Sequence, residues 1–188
     1  MATEIITTAQ KLKGMMGSLK DRFGYTNPMQ APRITKVVVS TAVGSISDKK
    51  KRELIFERLA QIVGQKPKET RTKKAIASFK TRQGDLAGYQ VTLRGARMNS
   101  FLDKVIHVVL PRTRDFRGLS ADSIDAMGNY TFGIKEHTVF PETADEDIKD
   151  IFGLAITIVT TAKTKEETEA LLRELGMPLR EAEEKGKK

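Results

Sequence analysis

The residues in this sequence best suited to chemistry are cations, and they are concentrated in one segment. The stretch RTKKAIASFKTRQGD, residues 71–85, carries five basic side chains before its first acid: Arg71, Lys73, Lys74, Lys80 and Arg82. Residues 66–97 contain nine cations but only two acids, Glu69 and Asp85. This segment therefore has a net charge of +7, compared with +9 for the whole chain. Because acids do not alternate with them, these cations repel one another unless an external anion is present. The pattern predicts a segment that binds a polyanion.

Two apolar residues, Ile76 and Phe79, stand among these cations. The phenyl ring of Phe79 could stack on a nucleic-acid base, or it could anchor the segment to the rest of the domain. A solvated charged surface is the plainer alternative for the segment as a whole. The segment lies at the tip of a predicted hairpin, and long loops inside compact domains usually have a function. This position therefore favours a binding role over a merely solvated surface.

The residue types that catalysis and metal binding need are scarce. The chain has no cysteine and only two histidines, His107 and His137. We expect His107 to be a partly buried residue of a helix. His137 stands beside Glu136, so the two could act as an acid and base pair, but a surface residue at a strand end is the simpler interpretation. We expect no metal site, no cofactor and no enzymatic activity.

Charge and hydropathy limit the class of protein further. Residues 1–141 hold 25 basic and 12 acidic side chains, whereas residues 142–188 hold 8 basic and 12 acidic ones. A net positive part of this kind favours nucleic acid or an anionic membrane surface as its partner. The sequence contains no apolar run of about 18 residues, the length that a membrane-spanning helix requires. The basic segment also lacks the apolar face that binding to a membrane surface requires. Since the N-terminus also lacks a secretory signal pattern, we expect a cytoplasmic protein without membrane contact.

Hydrophobic periodicity predicts the elements that position the basic segment. The expected order is α β α β β α β β α within a single domain over 1–188, in which 1–17 form an N-terminal helical extension and 181–188 a solvated tail. Pro111 is expected to end the third helix. Helices are predicted at 4–23, 48–64, 97–110 and 164–176, and strands at 34–44, 66–72, 88–95, 129–136 and 153–163.

The strand pattern predicts the fold class. In GYQVTLRG, residues 88–95, the large apolar side chains alternate with Gln90, Thr92 and Arg94. We therefore expect an α+β fold with one mixed sheet of about five strands, helices packed on one face, and a long basic β-hairpin arm. The other face would be open and polar, with hydroxyl, amide and guanidinium groups suited to RNA.

Six strings, in this order, together resemble one family: GQKP, KTRQGDLAGYQVTLRG, PRTRDFRGLS, GNYTFGIKE, FPE and ITIVTTAKT. They resemble the fifth protein of the large ribosomal subunit in its bacterial form, over about residues 18–180. This resemblance implies binding to 5S rRNA in the central protuberance and contact with 23S rRNA. It also implies contact of the basic hairpin loop with P-site tRNA, and an intersubunit bridge with small-subunit protein thirteen.

The resemblance also suggests site residues. The family's 5S rRNA contacts map onto Ser40, Gln65 and Thr92, and Arg94 follows on the same strand face. Arg71, Lys73, Lys74, Lys80 and Arg82 would contact tRNA and rRNA phosphates. The chain departs from the family at Ser40, where an asparagine is usual, at Met127, where an arginine is common, and at His137, where a glutamine is usual. The Ser40 hydroxyl lacks the second donor of an amide, and Met127 removes one possible phosphate contact.

Two rivals to the ribosomal interpretation stay open on sequence alone. The first is a free-standing RNA-binding or RNA-chaperone protein with a related sheet. The second is an enzyme that acts on RNA through His137 and Glu136.

Overall fold

The structure is a computed structural model, and it describes residues 8–46, 48–143 and 151–180. Five strands form one sheet in the order β2-β3-β1-β5-β4. The strands are β1 (Ile34–Ala42), β2 (Lys68–Arg71), β3 (Leu86–Leu93), β4 (Tyr130–Ile134) and β5 (Leu154–Thr160). The longer helices are α1 (Thr8–Phe23), α2 (Lys49–Val63), α3 (Gly95–Lys104) and α5 (Lys165–Leu175), with a π-helical segment Val105–Val109 and a short α4 (Leu110–Arg112) after α3. The predicted order of elements is confirmed.

The strands pair antiparallel. Between β2 and β3 the register joins Lys68 to Gln90 and Thr70 to Gly88. Along β1 and β5 the residue numbers also run in opposite directions: Thr35 Oγ1 donates to the Val159 carbonyl at 3.0 Å, and Thr41 Oγ1 donates to the Gly153 carbonyl at 2.8 Å. The predicted five-stranded α+β sheet is confirmed, with antiparallel rather than mixed pairing.

Burial alternates along the strands, so the sheet has one covered and one open face. On β3 the side chains of Tyr89, Val91 and Leu93 are buried, whereas Gln90 and Thr92 are exposed. On β5 every second residue from Leu154 to Thr160 is buried. Successive side chains of a strand point to opposite faces, and burial of one set leaves the other set available. The open sheet is confirmed, and on β3 its uncovered face is polar as predicted.

The described chain consists of two compact units. Among the described residues, 8–37, 94–132 and 157–180 form unit 1, and 38–46, 48–93, 133–143 and 151–156 form unit 2. The core of unit 1 includes Leu102, Tyr130 and Leu171, and that of unit 2 includes Leu59 and Ile156, all of them fully buried. Residues 1–7, part of the predicted N-terminal extension, and the predicted tail 181–188 lie outside the described residues.

The two helices with the clearest sequence signals, α2 and α5, begin and end where predicted. Asp48 caps α2 by accepting the Lys50 N–H at 2.9 Å, and Gly64 ends the helix in the left-handed region with φ +71°. Thr164 caps α5 by accepting the Glu167 N–H at 3.2 Å. A Thr or Asp side chain at this position satisfies an N–H group that has no partner within the helix.

The third helix departs from its prediction. Pro111 does not end it, because helical structure runs on to Arg112 as α4. Before the proline, the Leu110 N–H bonds to the Val105 carbonyl, five residues back, within the π-helical segment Val105–Val109. A proline has no N–H to offer and its ring crowds the preceding turn, so this wider turn accommodates it. His107 lies on the segment and is exposed, so the prediction of a partly buried histidine is wrong.

Candidate nucleic-acid interface

The open face of β3 carries two polar residues, one of which, Thr92, is predicted to contact RNA. Gln90 and Thr92 are exposed on this strand, and Val91 between them is buried. Packing of the Tyr89 ring 5.2 Å from Phe56 holds the covered side in place. Burial there raises the pKa of Tyr89 above its ordinary value. The strand is thus fixed by its apolar side and presents a hydroxyl and an amide on the other.

Gln65 reaches the same part of unit 2 from the end of α2. Gly64 adopts φ +71°, a conformation that turns the chain out of the helix and that other residues adopt only at a cost. The Gln65 side chain then lies with Nε2 3.5 Å from the Thr92 carbonyl, at the limit of a hydrogen bond. The structure therefore brings Gln65 and Thr92 together, although 27 residues separate them.

Ser40 and Arg94 belong to two other parts of the predicted RNA surface. Ser40 lies on β1, half-buried, between the buried Val39 and Thr41, so its side chain belongs to the less covered face. No hydrogen bond among the described residues joins Ser40 to Gln65. Arg94 is exposed and follows β3 directly as the residue before α3, where its side chain makes no capping hydrogen bond.

Arg71 stands at the end of β2 and is already paired. Its guanidinium group lies 2.9 Å from the Glu69 carboxylate and 3.4 Å from the Gly84 carbonyl. Both side chains of the ion pair are about half exposed or more, at 64% and 49%. An exposed pair of this kind contributes little to stability, so it is easily exchanged for a phosphate.

Residues 72–85 connect β2 to β3, and we name them the tip loop. Its lower part is held by backbone hydrogen bonds from Thr72 to Asp85 at 2.9 Å and from Gly84 to Thr72 at 3.0 Å. The Thr72 hydroxyl also donates to the Arg82 carbonyl. Further out, Ile76 and Thr81 exchange two backbone hydrogen bonds of 3.1 and 3.3 Å, which close a short turn between them. The backbone of the tip loop is therefore internally bonded.

The cations of the tip loop have no such partners. Within the described residues, the side chains of Lys73, Lys74, Lys80 and Arg82 form no hydrogen bond or ion pair, and all four are exposed. Asp85 is the acid of the loop, and its carboxylate accepts the Arg82 backbone N–H at 2.8 Å instead of a cationic group. The positive charge of this loop is thus uncompensated by its own side chains.

Met127 occupies an exposed loop of unit 1. It is 75% exposed, and its N–H donates to the Asp125 carboxylate at 2.9 Å. Asp125 also accepts the side-chain and backbone N–H groups of Asn129, and these bonds lower the pKa of Asp125 below its ordinary value. The apolar side chain at position 127 is therefore presented to solvent by an ordered turn.

His137 is not available for chemistry. The side chain is fully buried and stacks on Phe152, with 4.1 Å between the ring centroids. Its Nδ1 accepts the Phe152 backbone N–H at 3.3 Å. The prediction of a surface residue is wrong, because the stacking partner lies 15 residues away in the sequence. Such burial also removes the acid and base pair with Glu136 that a nuclease would need.

Neither metal binding nor membrane insertion finds support in the described residues. In residues 8–46, 48–143 and 151–180, no group of three or more histidine, aspartate or glutamate side chains could hold a metal ion. None of the helices in these ranges is long and apolar enough to cross a bilayer.

Comparison with known proteins matches both parts of the chain to one family. Residues 27–82 match the family described as ribosomal protein L5, and residues 86–179 match the C-terminal part of the same ribosomal protein family. The chain is 51% identical to the large ribosomal subunit protein uL5 of Rubrobacter xylanophilus, over 87% of this chain and 91% of that protein. It is 48% identical to the protein of the same name from Microcystis aeruginosa, over 96% of this chain and all of that protein.

The chain has an open sheet and a basic loop whose charge its own side chains do not compensate. Together with the family match, these features place the chain in the class of RNA-binding ribosomal proteins. The chain belongs to the ribosomal protein L5 family. Family membership makes it a structural protein of the large ribosomal subunit and not an enzyme, with its place on the cytoplasmic ribosome. The predicted family and its bacterial form are confirmed.

Proposed function

We propose that this chain binds 5S rRNA through the open face of its sheet and joins that RNA to 23S rRNA in the central protuberance. The observation that carries the proposal is the approach of Gln65 to Thr92 on an exposed, polar strand face. Amide and hydroxyl groups can donate and accept hydrogen bonds to ribose, phosphate and base edges, whereas the apolar side chains of the covered face cannot. Ser40 would extend this surface along β1. Arg94, which follows β3 and belongs to unit 1, is proposed as a separate RNA contact.

The tip loop would have a different partner. We propose that Lys73, Lys74, Lys80 and Arg82 contact phosphates of P-site tRNA, and that Arg71 exchanges its bond with Glu69 for an rRNA phosphate. Their exposure and lack of internal partners support this for the four loop cations. We further propose, from family membership, a bridge to small-subunit protein thirteen.

Binding of the purified chain to 5S rRNA across a salt series tests the sheet-face proposal. We expect Gln65→Ala and Thr92→Val each to weaken binding by about fivefold to tenfold, the effect of losing a hydrogen bond worth about 1 kcal/mol. Gln61→Ala is the matched control, since Gln61 is an exposed glutamine of α2 one turn earlier. Equal affinities for all three variants and the parent chain would remove Gln65 and Thr92 from the interface.

Selectivity separates the ribosomal role from that of a free-standing RNA-binding protein. The proposal requires tight binding to 5S rRNA that survives physiological salt, and much weaker binding to a random duplex. Equal binding to both RNAs with a steep salt slope would instead mean that phosphate attraction dominates.

Replacement of the four tip-loop cations by glutamine tests whether the sheet face binds 5S rRNA while the tip loop contacts tRNA. We expect 5S rRNA affinity to change little, and binding of P-site tRNA to ribosomes that carry the variant to weaken. Each lost phosphate contact should reduce the slope of log affinity against log salt by about 0.7 to 0.9. Loss of 5S rRNA binding in a folded variant would contradict the assignment.

A further inference from the structure

The end of the tip loop presents two apolar side chains to solvent. Phe79 is 73% exposed and Ile76 is 46% exposed. The sequence left open whether Phe79 anchors the loop to the domain or stacks on a base, and this exposure removes the first possibility. A single exposed apolar residue is ordinary, but two within four positions on a strongly charged loop require a reason.

Backbone hydrogen bonds define the turn that carries this exposed ring. Phe79 lies in the turn of 3-10 helix Ala77–Phe79, which the paired backbone hydrogen bonds of Ile76 and Thr81 close. The Lys80 N–H bonds to the Ala77 carbonyl at 3.0 Å, and Lys80 itself adopts φ +52°. A non-glycine residue in this region is uncommon, and the strain is tolerated because the surrounding bonds define the turn.

The charges around the ring select the kind of partner. Lys73, Lys74, Lys80 and Arg82 surround it in the sequence, and no acid occurs between Glu69 and Asp85. An apolar protein surface offers nothing to these cations, whereas a nucleic acid offers phosphates to the cations and base faces to the ring. Aromatic rings among basic side chains are the usual arrangement for stacking on unpaired bases.

We propose that Phe79 stacks on an unpaired or exposed base of the RNA that the tip loop contacts, with Ile76 covering the edge of that base. The proposal rests on the proposed contact of this loop with P-site tRNA, and it adds a ring contact to the phosphate contacts of the cations. Stacking releases no counterions, so the two contributions differ in how they respond to salt.

Ribosomes that carry variants of the full chain provide the test, with P-site tRNA affinity measured over a salt series. We expect Phe79→Ala to weaken tRNA binding by roughly 5- to 150-fold at every salt concentration, the range for stacking on one base, without changing the salt slope. Phe79→Tyr should retain most of the affinity, and Phe79→Leu should lose most of it although it stays apolar. Met29→Ala is the matched control, because Met29 is 74% exposed but lies outside the loop.

The outcomes separate this inference from the proposed function. If glutamine at the four cation positions reduces the slope but Phe79→Ala has no effect, stacking is overturned and the phosphate contact stands. If neither change affects tRNA binding, the proposed tRNA contact itself fails. Equal retention of affinity by Phe79→Leu and Phe79→Tyr would overturn stacking in favour of an apolar contact. A photoreactive phenylalanine at position 79 identifies the partner: a crosslink to tRNA supports the proposal, and a crosslink to protein overturns it.

Discussion

Replacement of Gly88 by alanine tests whether the space between β1 and β3 is as tight as the structure indicates. A Cβ atom at Gly88 would lie 2.3 Å from the Thr41 carbonyl oxygen and 3.4 Å from the Ala42 Cα. Real Cβ atoms essentially never approach another atom within 3.0 Å, and the neighbour is backbone, which cannot rotate away. The two strands must therefore move apart by about 1 Å to restore ordinary contact distances.

The loss of folding free energy depends on the hydrogen bonds that this movement of the strands disturbs. The Val43 and Gly44 N–H groups both donate to the Ala87 carbonyl at 3.0 Å, beside Gly88. Overpacking costs about 1 to 3 kcal/mol, and a buried backbone group left unpaired costs about 1 to 3 kcal/mol. Alanine recovers about 0.4 to 1 kcal/mol by restricting the unfolded chain. We expect Gly88→Ala to lower the free energy of unfolding by about 1 to 5 kcal/mol, a large share of the roughly 5 to 15 kcal/mol typical of a domain.

Urea unfolding followed by far-UV circular dichroism measures this change, and Gly44→Ala is its matched control. A Cβ at Gly44, two residues beyond the end of β1, would lie 3.6 Å from the Ala87 carbonyl oxygen of β3, which is an ordinary contact. We expect the control to change the free energy of unfolding by less than about 1 kcal/mol. A loss below about 1 kcal/mol for Gly88→Ala, or equal losses for both variants, would refute the reasoning.

Two further predictions concern unit 1. We expect Gly128→Ala to cost about 2 to 4 kcal/mol in urea unfolding, because Gly128 has φ +73° and its Cβ would lie 2.8 Å from the Ala162 carbonyl oxygen. Its control is Gly64→Ala in unit 2, with φ +71° and open space, which should cost only about 1 kcal/mol. Burial pushes the pKa of Glu167 up, but hydrogen bonds from Lys163 and Tyr25 outweigh it and hold that pKa below its ordinary 4.5. These bonds thus stabilise the fold above pH 4.5 and are lost as pH falls through the lowered pKa. Glu167→Gln should lower stability by about 0.5 to 1 kcal/mol at pH 7 and flatten the fall of the melting temperature toward acid; an unchanged pH profile would contradict this.

Local signals predicted the parts of the fold that depend on neighbouring residues. Asp48 and Gly64 mark the ends of α2 because caps satisfy backbone groups within one turn of the helix. The alternation along β3 predicted its open face because a strand repeats every two residues. The spacing of Thr164 and Glu167 predicts a capping box at the start of α5, and the structure confirms it in part. Thr164 accepts the Glu167 N–H, but the Glu167 carboxylate accepts the N–H of Lys163 at 2.7 Å instead of that of Thr164.

Contacts between distant residues could not be predicted in this way. The burial of His137 depends on Phe152, and the proximity of Gln65 to Thr92 depends on how α2 ends beside β3. No local pattern in the sequence marks either pair. The π-helical turn before Pro111 was missed because a proline by itself indicates the end of a helix, and only the observed bond from Leu110 to Val105 shows how the helix continues.

The sequence by itself determined the family, the order of the elements and the concentration of positive charge between β2 and β3, because motifs, periodicity and charge are properties of consecutive residues. The tertiary structure decided which of these residues are free to act. It buried His137, brought Gln65 to Thr92, and left Phe79 exposed beside cations without partners in the described part of the chain. Burial and pairing depend on residues that the sequence does not place side by side, and only the folded backbone brings those residues together.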